Sequence, residues 1–200
     1  NLPEPTPIQY DIADFLQHGQ KRIVIQAFRG VGKSWITSAF VCHQLLLNPQ
    51  KNILVVSASK SRSDDFSTFT QRLISEMEIL AHLKPNSVKE FDAIIKPEVG
   101  RVVFLGTPQT EFSLYNSLDE RGFTTKIWTA RIPTDTQRIS YGSKLASIIS
   151  TSKEKVGTPT DNKRFDETDL LEREASYGRS GFSLQFMLDT SLSDQDRYPL

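Results

Sequence analysis

The chain has 200 residues, of which 24 are basic and 24 acidic, so its formal net charge is zero. This length fits one domain, or a core with a small attached subdomain, and an ordinary apolar fraction allows a buried core. The balanced charge excludes a strongly basic nucleic-acid-binding protein, although a local basic surface stays compatible with the composition. The single cysteine, Cys42, excludes an intramolecular disulfide framework, and its apolar helical context favours burial over catalysis.

No apolar run approaches the length of a membrane span, and no signal peptide begins the chain. We therefore expect a soluble intracellular protein without a membrane partner.

The first predicted elements surround a glycine-rich loop. A short helix is expected near residues 8–16, and the apolar run 23–26 predicts a strand. Residues 27–34, Ala-Phe-Arg-Gly-Val-Gly-Lys-Ser, then lead into the helical stretch 35–41. This helix should end near residues 48–49, Asn-Pro, because proline cannot continue it.

A strand, a glycine loop, Lys-Ser and a helix in this order are typical of a phosphate-binding P-loop. Backbone N–H groups of such a loop converge on phosphate oxygens, and the helix N-terminus adds a favourable dipole. We expect Lys33 to contact the β- and γ-phosphates of a nucleotide and the Ser34 hydroxyl to ligate Mg²⁺. Ala27 replaces the usual first glycine, and Arg29 adds a second cation. The residues expected to bind nucleotide in this loop are Arg29, Gly30, Val31, Gly32, Lys33 and Ser34.

Further strands alternate with helices along the chain. The apolar run 52–57 predicts a buried parallel strand, and a helix follows with apolar side chains at helical spacing. These side chains, expected to face the core, are Phe66, Phe69, Leu73, Met77 and Leu80. Two more strands are predicted at 101–105 and 124–130, the first ending in a Gly-Thr-Pro turn. The pattern predicts an α/β protein with a mostly parallel sheet.

Beyond Pro133 the sequence becomes polar, with short helices and loops. Asp166 is expected to cap a helix that ends at Gly178, and residues 182–188 predict another short helix. This tail has too few apolar residues to fold alone, so we expect it to pack on the core as a lid.

No strand in the chain ends in the acidic pair that a P-loop hydrolase uses for Mg²⁺ and for the attacking water. Asp64 and Asp65 start a helix, Asp92 precedes its apolar run, and Glu111 lies past the third strand. The segment between Pro85 and Val102 is also short for the strand and connection expected there. Either the chain binds nucleotide without hydrolysis, or a segment with the acidic strand is missing.

Five stretches together resemble the large terminase subunit of short-tailed, podovirus-type bacteriophages, the ATPase of the DNA-packaging motor. They occur in the family's order over nearly the whole chain, at residues 26–34, 55–60, 104–111, 157–161 and 181–188. The resemblance implies a RecA-like P-loop core at 1–130 and a small helical lid at 131–200 that starts a linker to a nuclease domain. It also implies that residues were omitted near 85–90, including the acidic Mg²⁺ ligand and the general base.

The resemblance also assigns roles to individual residues. Gln9 stands where the family has an adenine-reading glutamine, and an amide can donate to and accept from an adenine edge. Arg29 matches an arginine that senses or stabilises the γ-phosphate. Thr107 lies in the Gly-Thr-Pro turn, where related motors have a coupling motif, and is expected to bond a water or a phosphate oxygen. Residues 57–60 resemble a helicase segment that contacts DNA or transmits motion, or form a solvated turn.

The implied function is ATP hydrolysis, with ATP and Mg²⁺ as cofactors, that drives double-stranded DNA into a procapsid. The implied partners are DNA, the portal protein, a small terminase subunit and a pentameric ring of copies, in the host cytoplasm and at the portal vertex. Three alternatives remain open from the residues: a helicase or other translocase, a small-molecule P-loop kinase, and a non-hydrolysing nucleotide-binding module.

Overall fold

A computed structural model describes residues 4–51, 53–55, 60–84, 101–107 and 117–190. The chain divides into two compact units, one made of Asn1–Lys33 with Arg101–Leu200 and the other of Ser34–Gly100.

The first unit contains a parallel three-stranded sheet in the order β2-β1-β3. The strands are β1 (Arg22–Ala27), β2 (Val102–Gly106) and β3 (Thr124–Trp128). The central strand β1 is buried from its second residue to its last. A strand buried on both faces reads as a continuous apolar run, which is why β1 was predictable from sequence.

Helix α1 (Pro7–His18) precedes β1 and buries Ile8, Ile12, Phe15 and Leu16. Its first turn carries a complete capping box: the Thr6 hydroxyl accepts from the Gln9 N–H, while the Gln9 side chain accepts from the Thr6 N–H. Pro7 stands at the first helical position, where its missing N–H costs nothing.

Residues 131–190 pack within the same unit as the sheet. They form α4 (Asp135–Tyr141), α5 (Ser147–Ser150), α6 (Glu167–Phe182) and a π-helical turn (Ser183–Met187). The Asp166 carboxylate caps α6 by accepting from the Asp169 N–H, as predicted. Gly178 leaves the helical conformation, with φ 67° and ψ 170°, so the helix that Asp166 caps ends there as predicted, and a second helical segment continues from it to Phe182.

The second unit is helical where the structure describes it. Helix α2 (Lys33–Leu47) begins with Lys33, which belongs to the first unit, and continues in the second. Helix α3 (Lys60–Glu76) is followed by a 3₁₀ turn (Glu78–Leu83). Its buried core is formed by Cys42, Ile74 and Leu80. The predicted burial of Cys42 is confirmed, and burial raises the pKa of its thiol. Of the apolar side chains predicted to face the core, Leu80 is buried and Met77 is exposed.

The predicted strand at 52–57 is wrong where it can be compared with the structure. Residues 53–55 form no strand, and Leu54 is 60% exposed; residues 52, 56 and 57 lie outside the described residues. An apolar run becomes a strand only when a neighbouring strand pairs with its backbone, and the described residues of this unit include no other strand.

The predicted α/β class and parallel sheet are confirmed, with strands 23–26, 101–105 and 124–130 found within a residue or two of their predicted positions. The predicted domain boundary at residue 130 stays a prediction. Among the described residues, no helix is both long and apolar enough to cross a bilayer.

Replacing the cap residue of α6 tests the link between this local signal and stability. Asp166→Ala removes the acceptor for the Asp169 N–H, which is 2.9 Å away. We expect the free energy of unfolding to fall by about 1 kcal/mol, whereas Asp166→Asn, which keeps an oxygen at the cap, should lose much less. Denaturant unfolding of both variants measures the difference, and equal losses would contradict a capping role.

Candidate functional site

The glycine loop, residues 28–32, connects the carboxyl end of β1 to the start of α2. Gly30 and Gly32 both have positive φ, 90° and 96°, a conformation that residues with a Cβ rarely adopt. Ala27 is the last residue of β1 and has no positive φ, so an alanine fits where a glycine was expected. The strand–loop–helix order predicted from the sequence is therefore present.

Lys33 turns its side chain back into the loop. Its Nζ donates to the carbonyl oxygens of Ala27 and Phe28, the latter at 3.1 Å. Burial, together with the nearby charge of Arg29, lowers the pKa of Lys33 to about 8. A desolvated ammonium next to a second cation gains from an incoming anion, because an opposite charge restores its charged form. The loop thus has the electrostatics of an anion site.

Gln9 contacts the loop directly. Its Nε2 donates to the Val31 carbonyl at 2.8 Å, while its Oε1 accepts from the Thr6 N–H at 3.0 Å. A carboxamide has two N–H donors and two acceptor lone pairs, so each end keeps capacity for one further bond. A Cβ on Gly32 would stand 3.1 Å from Gln9 Nε2, so the glycine also makes room for this contact.

A turn at residues 161–165 holds the other side of the loop. Arg164 Nε donates to the Gly30 carbonyl at 3.0 Å. Phe165 packs edge-on against Phe28, with ring centroids 5.4 Å apart, and a Cβ on Gly30 would lie 2.8 Å from its ring. Gly30 is therefore required both by its backbone conformation and by the close approach of Phe165.

Arg29 is exposed and faces α6 and the π-helical turn. The backbone N–H of Arg29 donates to the Gln185 carbonyl at 3.0 Å, and its guanidinium lies 5.7 Å from the centre of the Tyr177 ring. A guanidinium over an aromatic face is weakly held, by about 0.5–1 kcal/mol at an exposed site. The contact with Tyr177 therefore orients the Arg29 side chain only weakly.

Thr107 follows β2 beside the end of β1, and its Oγ1 donates to the Ala27 carbonyl at 3.5 Å. The same carbonyl accepts from Lys33, so these two predicted site residues meet at one atom. Ser34, the predicted Mg²⁺ ligand, is exposed in the first turn of α2. Pro108, Glu111 and the segment 85–100 lie outside the described residues.

Asp161 is buried and reaches the start of α1. The Thr6 hydroxyl donates to its Oδ2 at 2.9 Å, whereas its Oδ1 is buried and has no hydrogen-bond partner among the described residues. Burial raises the pKa of Asp161, and the Thr6 hydrogen bond and the charge of Arg164 oppose this shift.

The contacts of Arg164 and Phe165 with the loop, and the contact of Asp161 with Thr6, were not predicted from sequence. Asp161 ends the stretch 157–161 that carried part of the family resemblance, but no role followed from that likeness alone. A separation of 134 residues between Arg164 and Gly30 leaves no local pattern from which to infer the contact.

Comparison with known proteins identifies the family of the chain. The family described as "Terminase large subunit, T4likevirus-type, N-terminal" matches residues 24–117, which begin in β1 and include the glycine loop. The "Terminase, large subunit" of Enterobacteria phage T3 is 37% identical over 271 residues, a match that covers 100% of this chain and 46% of that relative. The chain belongs to the large terminase subunit family.

This membership confirms the resemblance to the large terminase subunit of podovirus-type phages. The chain spans about half the length of the phage T3 relative. The match extends over 271 aligned positions, whereas this terminase chain has 200 residues, so the alignment contains gaps in this chain opposite residues of the phage T3 protein.

For a divalent cation the described residues offer an incomplete site. No group of three or more His, Cys, Asp or Glu side chains within them is placed to hold a metal ion. A hydroxyl such as that of Ser34 needs carboxylate or water ligands beside it, since Mg²⁺ prefers six oxygens. The described residues therefore supply only part of the ligand set that Mg²⁺ requires.

Gly30→Ala tests how tightly the loop is fixed. The substitution combines a positive φ with a clash against a Phe165 ring that lies between Phe28 and Arg173. We expect a loss of about 2–4 kcal/mol in the free energy of unfolding, from backbone strain plus overpacking. Gly122→Ala is the matched control, because φ is 78° there and no atom lies within 4 Å of the new Cβ; it should cost only about 1–2 kcal/mol. Equal losses by chemical denaturation would mean that Phe165 does not confine the loop.

Proposed function

We propose that this chain is the nucleotide-binding part of a viral DNA-packaging ATPase. The observation that carries the proposal is the arrangement of Lys33, whose ammonium lies inside a glycine loop at the carboxyl end of the central strand. In open α/β sheets, ligands bind at this end of the strands. Membership of the large terminase subunit family adds independent support.

The finer fold that we propose is a RecA-like P-loop ATPase with 131–200 as a lid. Parallel pairing of β1 with a strand on each side, and the glycine loop directly after β1, support this architecture. The turn at 161–165 contributes to the loop from the proposed lid, through Arg164 and Phe165.

Each predicted residue has a chemical role in this proposal. The backbone N–H groups of Gly30, Val31 and Gly32 bind phosphate oxygens, and Lys33 releases its two carbonyl partners to contact the β- and γ-phosphates. The remaining donor and acceptor of Gln9 read the adenine edge. Arg29 stabilises charge on the γ-phosphate, and Thr107 bonds a water or a phosphate oxygen. ATP supplies the phosphoryl group when bound, and Ser34 supplies one oxygen ligand for Mg²⁺.

We propose further that the acidic Mg²⁺ ligand and the general base belong to a segment omitted near residues 85–90. Support comes from the absence of an acid after any described strand and from the gaps on this chain's side of the phage T3 match. Peptide sequencing of the natural protein across Asn86–Val88 tests this: an uninterrupted Asn-Ser-Val peptide would contradict it.

The complete protein is proposed to act on double-stranded DNA at the portal vertex of a procapsid. Its partners would be the portal protein, a small terminase subunit and copies of itself in a pentameric ring within the infected host's cytoplasm. A balanced net charge suits this role, because a moving motor uses weak contacts to the phosphate backbone.

A non-hydrolysing nucleotide-binding module is the second candidate function. It is favoured by one observation, that the described residues bring no cluster of carboxylates together for Mg²⁺. The two candidates share nucleotide binding and differ in hydrolysis by the complete protein.

The pKa of Lys33 gives a test of nucleotide binding by this chain. Above pH 8 the free protein loses the Lys33 proton, whereas bound phosphate favours the charged form, so binding takes up a proton. We expect the affinity for ADP to be flat below pH 8 and to fall by roughly tenfold per pH unit above it. Isothermal titration calorimetry from pH 7 to 10 measures this slope. Lys33→Arg stays charged and should show no slope; the same slope in both proteins would exclude Lys33 as its source.

Hydrolysis is tested in the complete large subunit with and without double-stranded DNA. We expect DNA to stimulate ATP hydrolysis and Lys33→Ala to reduce kcat by at least about a hundredfold, since it removes a cation placed for the transferred phosphoryl group. Lys21→Ala, at a lysine just before β1, serves as the control and should retain activity. Hydrolysis that survives Lys33→Ala would contradict the proposal that the glycine loop is the phosphate site. Nucleotide binding without hydrolysis in the unaltered complete protein would favour the non-hydrolysing module.

A further inference from the structure

A short chain of hydrogen bonds connects Asp161 to the glycine loop. The Thr6 hydroxyl donates to Asp161 Oδ2 at 2.9 Å, and Thr6 is only 4% exposed. The Thr6 N–H then donates to Gln9 Oε1 at 3.0 Å, and Gln9 Nε2 donates to the Val31 carbonyl at 2.8 Å. Three consecutive bonds therefore run from residue 161 to the middle of the loop.

The two bonds of the Gln9 amide fix its orientation. Its oxygen accepts from the Thr6 N–H and its nitrogen donates to the Val31 carbonyl, so the orientation of the amide, with its remaining donor and acceptor, is fixed. If Thr6 shifts, the Gln9 amide loses the hydrogen bond from the Thr6 N–H that orients it. Placement of Thr6 therefore decides the placement of the Gln9 amide and of the loop carbonyl that it binds.

Asp161 is poorly suited to a purely stabilising role. A buried carboxylate with an unpaired oxygen is costly, and its Oδ1 has no partner among the described residues. The same turn holds Gly30 through Arg164, and the Asp161 carbonyl accepts from the Arg164 and Phe165 N–H groups. Asp161 thus stands where the turn contacts both α1 and the loop.

We propose that Asp161 is a positioning residue for nucleotide, acting through Thr6 and Gln9 on the glycine loop. The inference rests on the proposed function of the loop as a nucleotide site, and it assigns to residue 161 a role in affinity rather than in chemistry. Asp161 does not touch the nucleotide in this arrangement.

A double-mutant cycle on the chain, with ADP as the probe, separates positioning from general stability. Asp161→Ala should weaken ADP binding by roughly fivefold to tenfold, as expected for loss of about one buried hydrogen bond. In a Gln9→Ala background the same substitution should change ADP affinity by less than about twofold, because the connection to the loop is already broken. Equal effects in both backgrounds, or no effect in the unaltered background, would overturn the proposal. Asp161→Asn keeps an acceptor for Thr6 and should restore most of the affinity; if Asp161→Ala does not fold, Thr6→Val replaces it in the cycle.

The chain offers a matched control in a second capping box. Thr134 caps α4 with Gln137 in the same way that Thr6 caps α1 with Gln9, but no carboxylate contact accompanies it in the described structure. Thr6→Val should weaken ADP binding, whereas Thr134→Val should lower thermal stability alone. Loss of affinity in both would show a general effect of helix fraying and would contradict the proposal.

Failure of this inference is distinguishable from failure of the proposed function. If the unaltered chain binds ADP and Lys33→Ala abolishes binding, the proposed function stands whatever Asp161 does. If the unaltered chain binds no ADP, both proposals fail together.

Discussion

The enclosure of one ammonium group by backbone carbonyls is the constraint on which the site depends. Lys33 Nζ is held by the carbonyls of Ala27 and Phe28, and burial beside Arg29 lowers its pKa to about 8. That arrangement requires a strand that ends at Ala27, a helix that begins at Lys33 and a tight reversal between them. The two positive-φ glycines provide the reversal. Burial and the neighbouring charge of Arg29 both disfavour the charged form of Lys33, so an anion bound in the loop would be stabilised by restoring that form.

Contacts from distant parts of the chain keep the loop in place. Gln9 fixes the Val31 carbonyl from helix α1, and Arg164 fixes the Gly30 carbonyl from the turn at 161–165. Asp161 joins these two supports, because its side chain binds Thr6 while its carbonyl closes the turn. A site supported on rigid elements from two sides holds its donors with less reorganisation when a ligand arrives.

Local signals explain why much of this structure was predictable. The apolar run of β1, the loop glycines and the Asp166 cap each act within a few residues, so the sequence pattern carried them. Prediction failed for 53–55, because an apolar run does not determine its own pairing partner. It also missed the support by Asp161 and Arg164, whose contacts span more than a hundred residues and have no periodicity. The resemblance to large terminase subunits, confirmed by the comparisons, pointed to residues 157–161 without giving them a role.

A crystal structure of the chain with ADP tests the central claim most directly, because the claim concerns where one nitrogen atom goes. The β-phosphate should lie within hydrogen-bond distance of the N–H groups of the glycine loop. Lys33 Nζ should have left the carbonyls of Ala27 and Phe28 for a phosphate oxygen, while Gln9 stays bonded to Val31. Nucleotide bound elsewhere, with Lys33 still on its two carbonyls, would contradict the claim that this loop is the phosphate site.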